Sequence, residues 1–299
     1  MSSEVDLGTD AVPRKSRPIV LDPDMNPTRA FFVVATECTE HWRTNEALLV
    51  HSRAMPHLHQ TRVGIRRLRS AVSLLRPVLG RSSPVVDAAH RLRELALPLG
   101  LARDLDVILA GDVLQGSHKR QVARLWAARE AAYDEVLHVL GTKKWAKTRR
   151  AMDRALAELD ARTSTDTSVT EVAGRALDKR WHRVAGVHDH VAAMTPAERH
   201  RVRIEAKKFR YGCEFFASLY AGDEPQVVTN GGEELTGPLA YAWHVENVQT
   251  ALGAVNDHHT AEELLSSVGA TSPAVDEEAL VAEGVAACHR LAAVEPFWR

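Results

Sequence analysis

The chain has 299 residues, 45% of them hydrophobic, and carries 38 Lys and Arg against 39 Asp and Glu, for a formal net charge of -1. That hydrophobic share excludes a wholly disordered chain and suffices for two domains or two halves of one core, while the charge balance argues against a generic nucleic-acid binder, which carries a basic excess. Cys38, Cys213 and Cys288 lie far apart with no CxxC pair, no secretory signal opens the chain, and no run of about 18 apolar residues occurs; the expectation is a cytoplasmic protein with reduced thiols that spans no membrane.

In chain order, residues 1–26 are rich in Ser, Asp, Pro and Gly and read as a flexible tail. Asn26-Pro27 then opens a helix that runs to about Arg53, a cap followed by proline in the first turn. Pro56 interrupts, and a second helix covers roughly His57 to Leu79, ending at Gly80. A third begins near Pro84 and continues to about Leu114, bent or split by Pro98 and Gly100. A fourth covers about Ser117 to Leu140 and a fifth about Thr142 to Asp160. The polar stretch 161–170 reads as a linker. Helices follow at about Glu171 to Met194, from the Thr195-Pro196 cap to about Tyr220, at 238–267 and at 275–293, with 221–237 a loop by composition. No alternating strand pattern appears, so the fold class is all-α, with a first helical half at 27–160 and a second at 171–299.

A repeated phrase organises the two halves. HQTRVGIRRLRSAVSLL starts at His59, and HRVRIEAKKFRYGCEFF starts at His200. Each is followed by an L-G-x-x-polar-D phrase, LGLARDLD from Leu99 and LGAVNDHH from Leu252. The shared order implies two related halves, expected as two four-helix bundles with pseudo-twofold symmetry.

At about 100° per residue, His59, Arg62, Arg66 and Arg69 share one helix face beside the apolar stripe Ile65, Leu68, Val72 and Leu75; Arg67 points elsewhere. In the second copy His200, Arg203, Lys207 and Arg210 share a face, with Lys208 at the repeated cationic position and Tyr211 and Glu214 close by. Like charges stacked at i, i+3 and i, i+4 repel one another. Either carboxylates from other helices or a bound polyanion must offset that. Arginine suits phosphate because its fork donates two parallel charge-assisted hydrogen bonds, and histidine adds a donor that titrates near neutral pH. Asp104, Asp106 and Asp257 either bridge helices or orient the arginines; in the second case Arg103 contacts the ligand, and Asn256 keeps hydrogen bonding without charge. The basic run Lys143, Lys144, Lys147, Arg149 and Arg150 either widens the track or is plain surface, and Lys179, Arg180 and Arg183 are equally open.

With these phrases and the closing EPFWR, the sequence resembles the CHAD family, the conserved histidine α-helical domain, over roughly residues 27–299. The resemblance implies two pseudo-symmetric four-helix bundles with a positively charged surface or pore, binding of inorganic polyphosphate, and association with polyphosphate granules. Position by position it assigns the family's histidines to His59 and His200. Its basic residues fall on Arg62, Arg66, Arg67 and Arg69, then on Arg203, Lys207, Lys208 and Arg210, and its acidic positions on Asp104 and Asp257. No strand-borne ExExK-like phrase occurs, so the chain resembles the standalone form rather than relatives fused to a triphosphate-hydrolysing CYTH domain.

The expected function is therefore polyphosphate binding without catalysis, with no cofactor and no metal. His258-His259 after Asp257 lacks an HExxH phrase or a compact ligand set, which counts against a phosphohydrolase. RNA or DNA is the alternative partner, weakened by the lack of a stacking platform, since Tyr211 is the one ring near either basic face. Protonation of His59 and His200 predicts stronger binding at pH 6 than at pH 8.

Overall fold

The computed structural model describes residues 12–80, 82–111, 114, 118–160, 167–220, 222, 227–230, 233–271 and 274–299. Its helices are α1 (Pro27–Ser52), α2 (Met55–Leu74), α3 (Arg76–Leu79), α4 (Pro84–Leu95), α5 (Pro98–Ala110), α6 (Lys119–Gly141), α7 (Lys143–Asp160), α8 (Val169–Val184), α9 (Pro196–Phe216), α10 (Gly237–Ser267) and α11 (Glu277–Ala292). Short 3-10 turns flank α9 at His188–Ala193 and Ala217–Tyr220.

The all-helical expectation holds, with local differences that have physical causes. Asn26 accepts from the Arg29 amide at 2.9 Å and starts α1 as read from the sequence. Pro56 lies inside the first turn of α2 rather than before it, where its missing N–H costs nothing. The second helix breaks at Leu75 because Pro77 cannot continue the ladder, leaving α3 as one separate turn. Pro98 splits the third helix into α4 and α5. Ser168 lies within the polar stretch read as linker, but caps α8 by accepting from the Glu171 amide at 3.1 Å; residues 161–166 of that stretch lie outside the described residues. The segment read as a loop before α10 contains an antiparallel hairpin, β1 (Val227–Asn230) with β2 (Glu233–Thr236), registering Val227 opposite Thr236.

The N-terminal tail is the main correction. Residues 1–11 lie outside the described residues, but 12–26 form an ordered strap. Asn45 grips the Arg14 backbone from both sides, accepting from its amide at 3.1 Å and donating to its carbonyl at 2.9 Å. Arg14 pairs with Glu37 at 2.7 Å, and Ile19 and Leu21 are buried. Ser218 accepts from the Leu21 amide at 2.8 Å and donates to its carbonyl at 3.1 Å, so the strap ties the first half of the chain to the second.

In the first half α1, α2, α4 and α7 pack around one core, with α5 against α6. In the second, α8 and α10 flank α9, and α11 packs on α10. The halves meet where α2 crosses α9 and α5 meets α10. The α1–α2 crossing is close because position 64 has no side chain: a Cβ on Gly64 would lie 2.6 Å from the Trp42 backbone nitrogen. Among the described residues no helix is long and apolar enough to cross a membrane.

Candidate functional site: a cationic groove between the two halves

The groove opens where α2 crosses α9, with α4 and α8 as its outer walls. A capping box sets the start of α9: Thr195 accepts from the Glu198 amide, and Glu198 accepts from the Thr195 amide at 2.8 Å. From that start His200 and Lys207 fall on the face turned to the groove. The cavity is about 780 Å³ and is lined by Arg66 and Arg69 of α2, Arg76 of α3, His90 and Arg93 of α4, Lys179, Arg180 and Arg183 of α8, and His200, Lys207 and Lys208 of α9. It continues past Ser73 and Arg180 into a second cavity, also about 780 Å³, that reaches Arg175 and Gly80. Among the described residues no carboxylate and no Phe, Tyr or Trp ring lines either cavity.

The electrostatics follow from burial of cations that lie near one another. Burial, then Arg66 and Arg203, pushes the Lys207 ammonium down to about 7, against a smaller pull from Asp257. Burial and Arg66 bring Arg62 down to about 10. Arg69 is lowered by burial and by Arg93 across the groove. His59, half-buried on α2, is held below its ordinary range by burial and then by Arg103, Arg66 and Arg62. A charged form that is disfavoured in the empty groove gains most when an anion enters.

One acidic group sits behind the groove wall. Glu205 takes Lys208 at 2.6 Å, Arg183 at 3.1 Å and the buried Arg180. Burial alone would raise its carboxyl, but Lys208 and Arg180 outweigh that and hold it at about 2. Arg180 also donates to the Ser73 hydroxyl at 2.9 Å, so it fixes α8 to both α2 and α9. By contrast Arg66, Arg69, Arg93, Lys179 and Lys207 have no carboxylate within ion-pair distance among the described residues.

The two L-G phrases are explained by the arginines above them. A Cβ on Gly100 would meet the Arg62 guanidinium at 3.3 Å, and one on Gly253 would meet Arg203 Nε at 2.8 Å. In each half the glycine makes room for the arginine three residues after the motif histidine. Arg203 then bonds both Asp257 oxygens, at 2.9 and 3.1 Å. Burial raises the Asp104 carboxyl above its ordinary range, with Asp257 adding to the rise and Arg62 opposing it. Asp104, Asp257, Arg62, Arg103 and Arg203 thus form a mixed-charge cluster beside the groove. Asn256 lies with His200 at a smaller pocket that also includes His259.

Of the residues expected at the ligand face, His59, Arg62, Arg103 and Arg203 do not line the groove, and Arg67, Arg210 and Tyr211 are held in helix packing. Arg67 is buried, ion-paired to Glu214 and stacked over Phe215 at 4.9 Å and Tyr211 at 5.3 Å. Tyr211 is itself only 1% exposed and so cannot touch a ligand. Arg210 pairs with Glu214 at 2.8 Å and reaches Glu246 at 3.6 Å. Arg67 and Arg210 share Glu214, which draws their side chains into the packing between α2 and α9, and both guanidinium groups lie over the Tyr211 ring. Asp106 bridges helices: it accepts from Arg129 and from the Tyr133 hydroxyl, each at 2.7 Å. The basic run on α7 does not line the groove, and its Arg149 pairs with Glu46 at 2.7 Å. Arg76, His90 and Arg93 were not read as site residues; the i, i+3 spacing of His90 and Arg93 was the one available signal.

A family model described as CHAD domain matches residues 33–266, a span that includes both basic helices and both glycine phrases. Among solved structures the chain is similar to the CHAD domain from the plant Ricinus communis, with 25% identity, 93% of this chain and 89% of that chain covered, and a TM-score of 0.71. A comparison with curated proteins gives no match.

Proposed function

This chain belongs to the CHAD domain family, and from that membership and the charge of the groove we propose that it binds inorganic polyphosphate between α2, α4, α8 and α9 without hydrolysing it. The observation that carries the reading is the groove lining: cations from α2, α3, α4, α8 and α9, with Arg66, Arg69, Arg76, Lys207 and Lys208 half-buried and Arg180 buried, and no carboxylate among the described residues that line it. Such a row repels itself when empty and is relieved by a chain of phosphates. Two adjoining cavities that share Ser73, Arg76, Lys179 and Arg180 suit a linear polymer, and the guanidinium forks suit phosphate oxygens. The lack of an aromatic ring on the lining favours a bare phosphate chain over RNA, whose bases need a surface to stack on. The same contacts would carry the protein onto polyphosphate granules.

The deciding test is calorimetry with a defined polyphosphate at moderate salt, with RNA of equal charge as competitor. Tight binding that RNA displaces poorly is expected, with log K falling by about 0.7 per engaged phosphate for each tenfold rise in salt. Equal displacement by RNA would replace the reading with a nucleic-acid partner. Phosphate release in the presence of Mg2+ or Mn2+ would replace it with a phosphohydrolase.

Affinity is expected to fall as pH rises, with Lys207 as the main titrating group rather than the motif histidines. In the free protein its ammonium titrates at about 7. A bound polyanion favours the charged form and raises that value, so binding takes up a proton above pH 7. The contribution is fully present below pH 7 and is lost as pH rises through the value in the complex. Titrations at pH 6 and pH 8.5 measure it directly. Lys207→Arg, which stays charged, is expected to flatten the dependence; an unchanged slope would return the effect to His59 and His200.

A further inference from the structure

We propose that a divalent transition-metal ion of the zinc class binds at a second site, outside both basic motifs, formed by His188, Asp189 and His289. The three residues each offer one ligand atom, and these atoms lie within 4.8 Å of one another. His188 and Asp189 open the 3-10 turn between α8 and α9, while His289 sits in the last turn of α11, which packs against that turn.

The orientation of His188 is fixed by its surroundings. Its Nδ1 lies 2.8 Å from the Ala185 carbonyl oxygen. A carbonyl only accepts, so Nδ1 donates, and in the neutral ring Nε2 carries the lone pair. A backbone carbonyl on the distal ring nitrogen is the usual support of a metal-bound imidazole. Nε2 is 3.4 Å from Asp189 Oδ1, and the His289 ring stands perpendicular to the His188 ring with centroids 4.9 Å apart. Ligand atoms on one tetrahedral zinc are about 3.3 Å apart, from bond lengths near 2.0–2.1 Å. The His188–Asp189 pair already has that separation, and a rotation of the exposed His289 side chain would complete the set.

Two imidazoles and one carboxylate favour Zn2+ over Mg2+ or Ca2+, which require oxygen ligands. Asp189 is 70% exposed, so the fourth position is open to water. An ion there would bind the turn that leads into α9 to the end of α11, and metal is expected to raise the unfolding temperature.

The test uses the full chain after treatment with a chelator, free of polyphosphate, which would itself sequester the metal. Calorimetry with Zn2+ and visible absorption with Co2+ are expected to show one ion per chain. His188→Ala and His289→Ala should each weaken binding at least about tenfold, and Asp189→Asn should weaken it less. His259→Ala should leave binding unchanged. His289 is exposed and His188 is partly buried, and circular dichroism would verify that both imidazole variants fold. Equal binding by wild type and a His188→Ala/His289→Ala variant, or no stoichiometric ion in the wild type, overturns the proposal.

Discussion

An Arg66→Ala/Lys207→Ala variant is expected to lose polyphosphate affinity by about 10²- to 10⁴-fold while the empty protein folds at least as well as before. Both side chains line the groove and neither has a carboxylate within ion-pair distance among the described residues. A hydrogen bond to a charged group contributes about 1.5–3 kcal/mol, so two contacts correspond to about 3–6 kcal/mol. The salt dependence should also flatten by about 0.7 for each contact removed. Stability should move the other way, because the Arg66 charge contributes to the lowering at Lys207, Arg62, Arg69 and His59. Removing it relieves repulsion that only the ligand otherwise offsets. Arg67→Ala is the informative contrast. It should destabilise the fold, because it leaves Glu214 with Arg210 alone and strips a cation from the Tyr211 and Phe215 rings. Calorimetry and thermal melts on both variants separate the outcomes, and undiminished affinity in the double variant would place the ligand elsewhere.

Trp298→Ala is expected to destabilise the chain by about 3–5 kcal/mol, the range for removing a large buried aromatic side chain. Trp298 is 8% exposed although it is the penultimate residue. Its ring packs edge-on against Phe209, Tyr241 and Phe297 at 5.6, 5.2 and 4.9 Å. Its Nε1 donates to Asp178 of α8 at 2.9 Å, a carboxylate that also takes Arg299 at 2.9 Å. The C-terminal phrase therefore joins α8, α9 and α10 behind the helix that carries His200 and Lys207. A melt should show a drop on the order of ten degrees. A change under two degrees would mean that the end of the chain contributes little to the second half. Polyphosphate affinity well below the melting temperature should stay near that of wild type, since Trp298 does not line the groove.

The helices, their order and the chemistry of the basic faces were legible in the sequence. These depend on neighbours three or four residues away, and periodicity and capping residues report such neighbours directly. Asn26 at α1 and Thr195 with Glu198 at α9 are caps that act within one turn. The paired L-G phrases were legible as a pattern, but their reason was not. Gly100 and Gly253 are small because Arg62 and Arg203, from other helices, lie above them. Gly64 carried no signal at all, since the close approach of Trp42 exists only once α1 and α2 cross.

Tertiary structure alone decided which cations are available. Arg67 and Arg210 belong to the same repeated phrases as Arg66 and Lys207, yet Glu214 draws both into the helix packing. His90, Arg93 and Lys179 reach the groove from α4 and α8, outside either phrase, and Arg76 reaches it from α3, directly after the first phrase. A net charge of -1 hides this arrangement because it sums over a surface whose acidic groups face other directions. The potential at a point depends on which charges lie near it and how far they are buried, and only the packing of the helices fixes those distances.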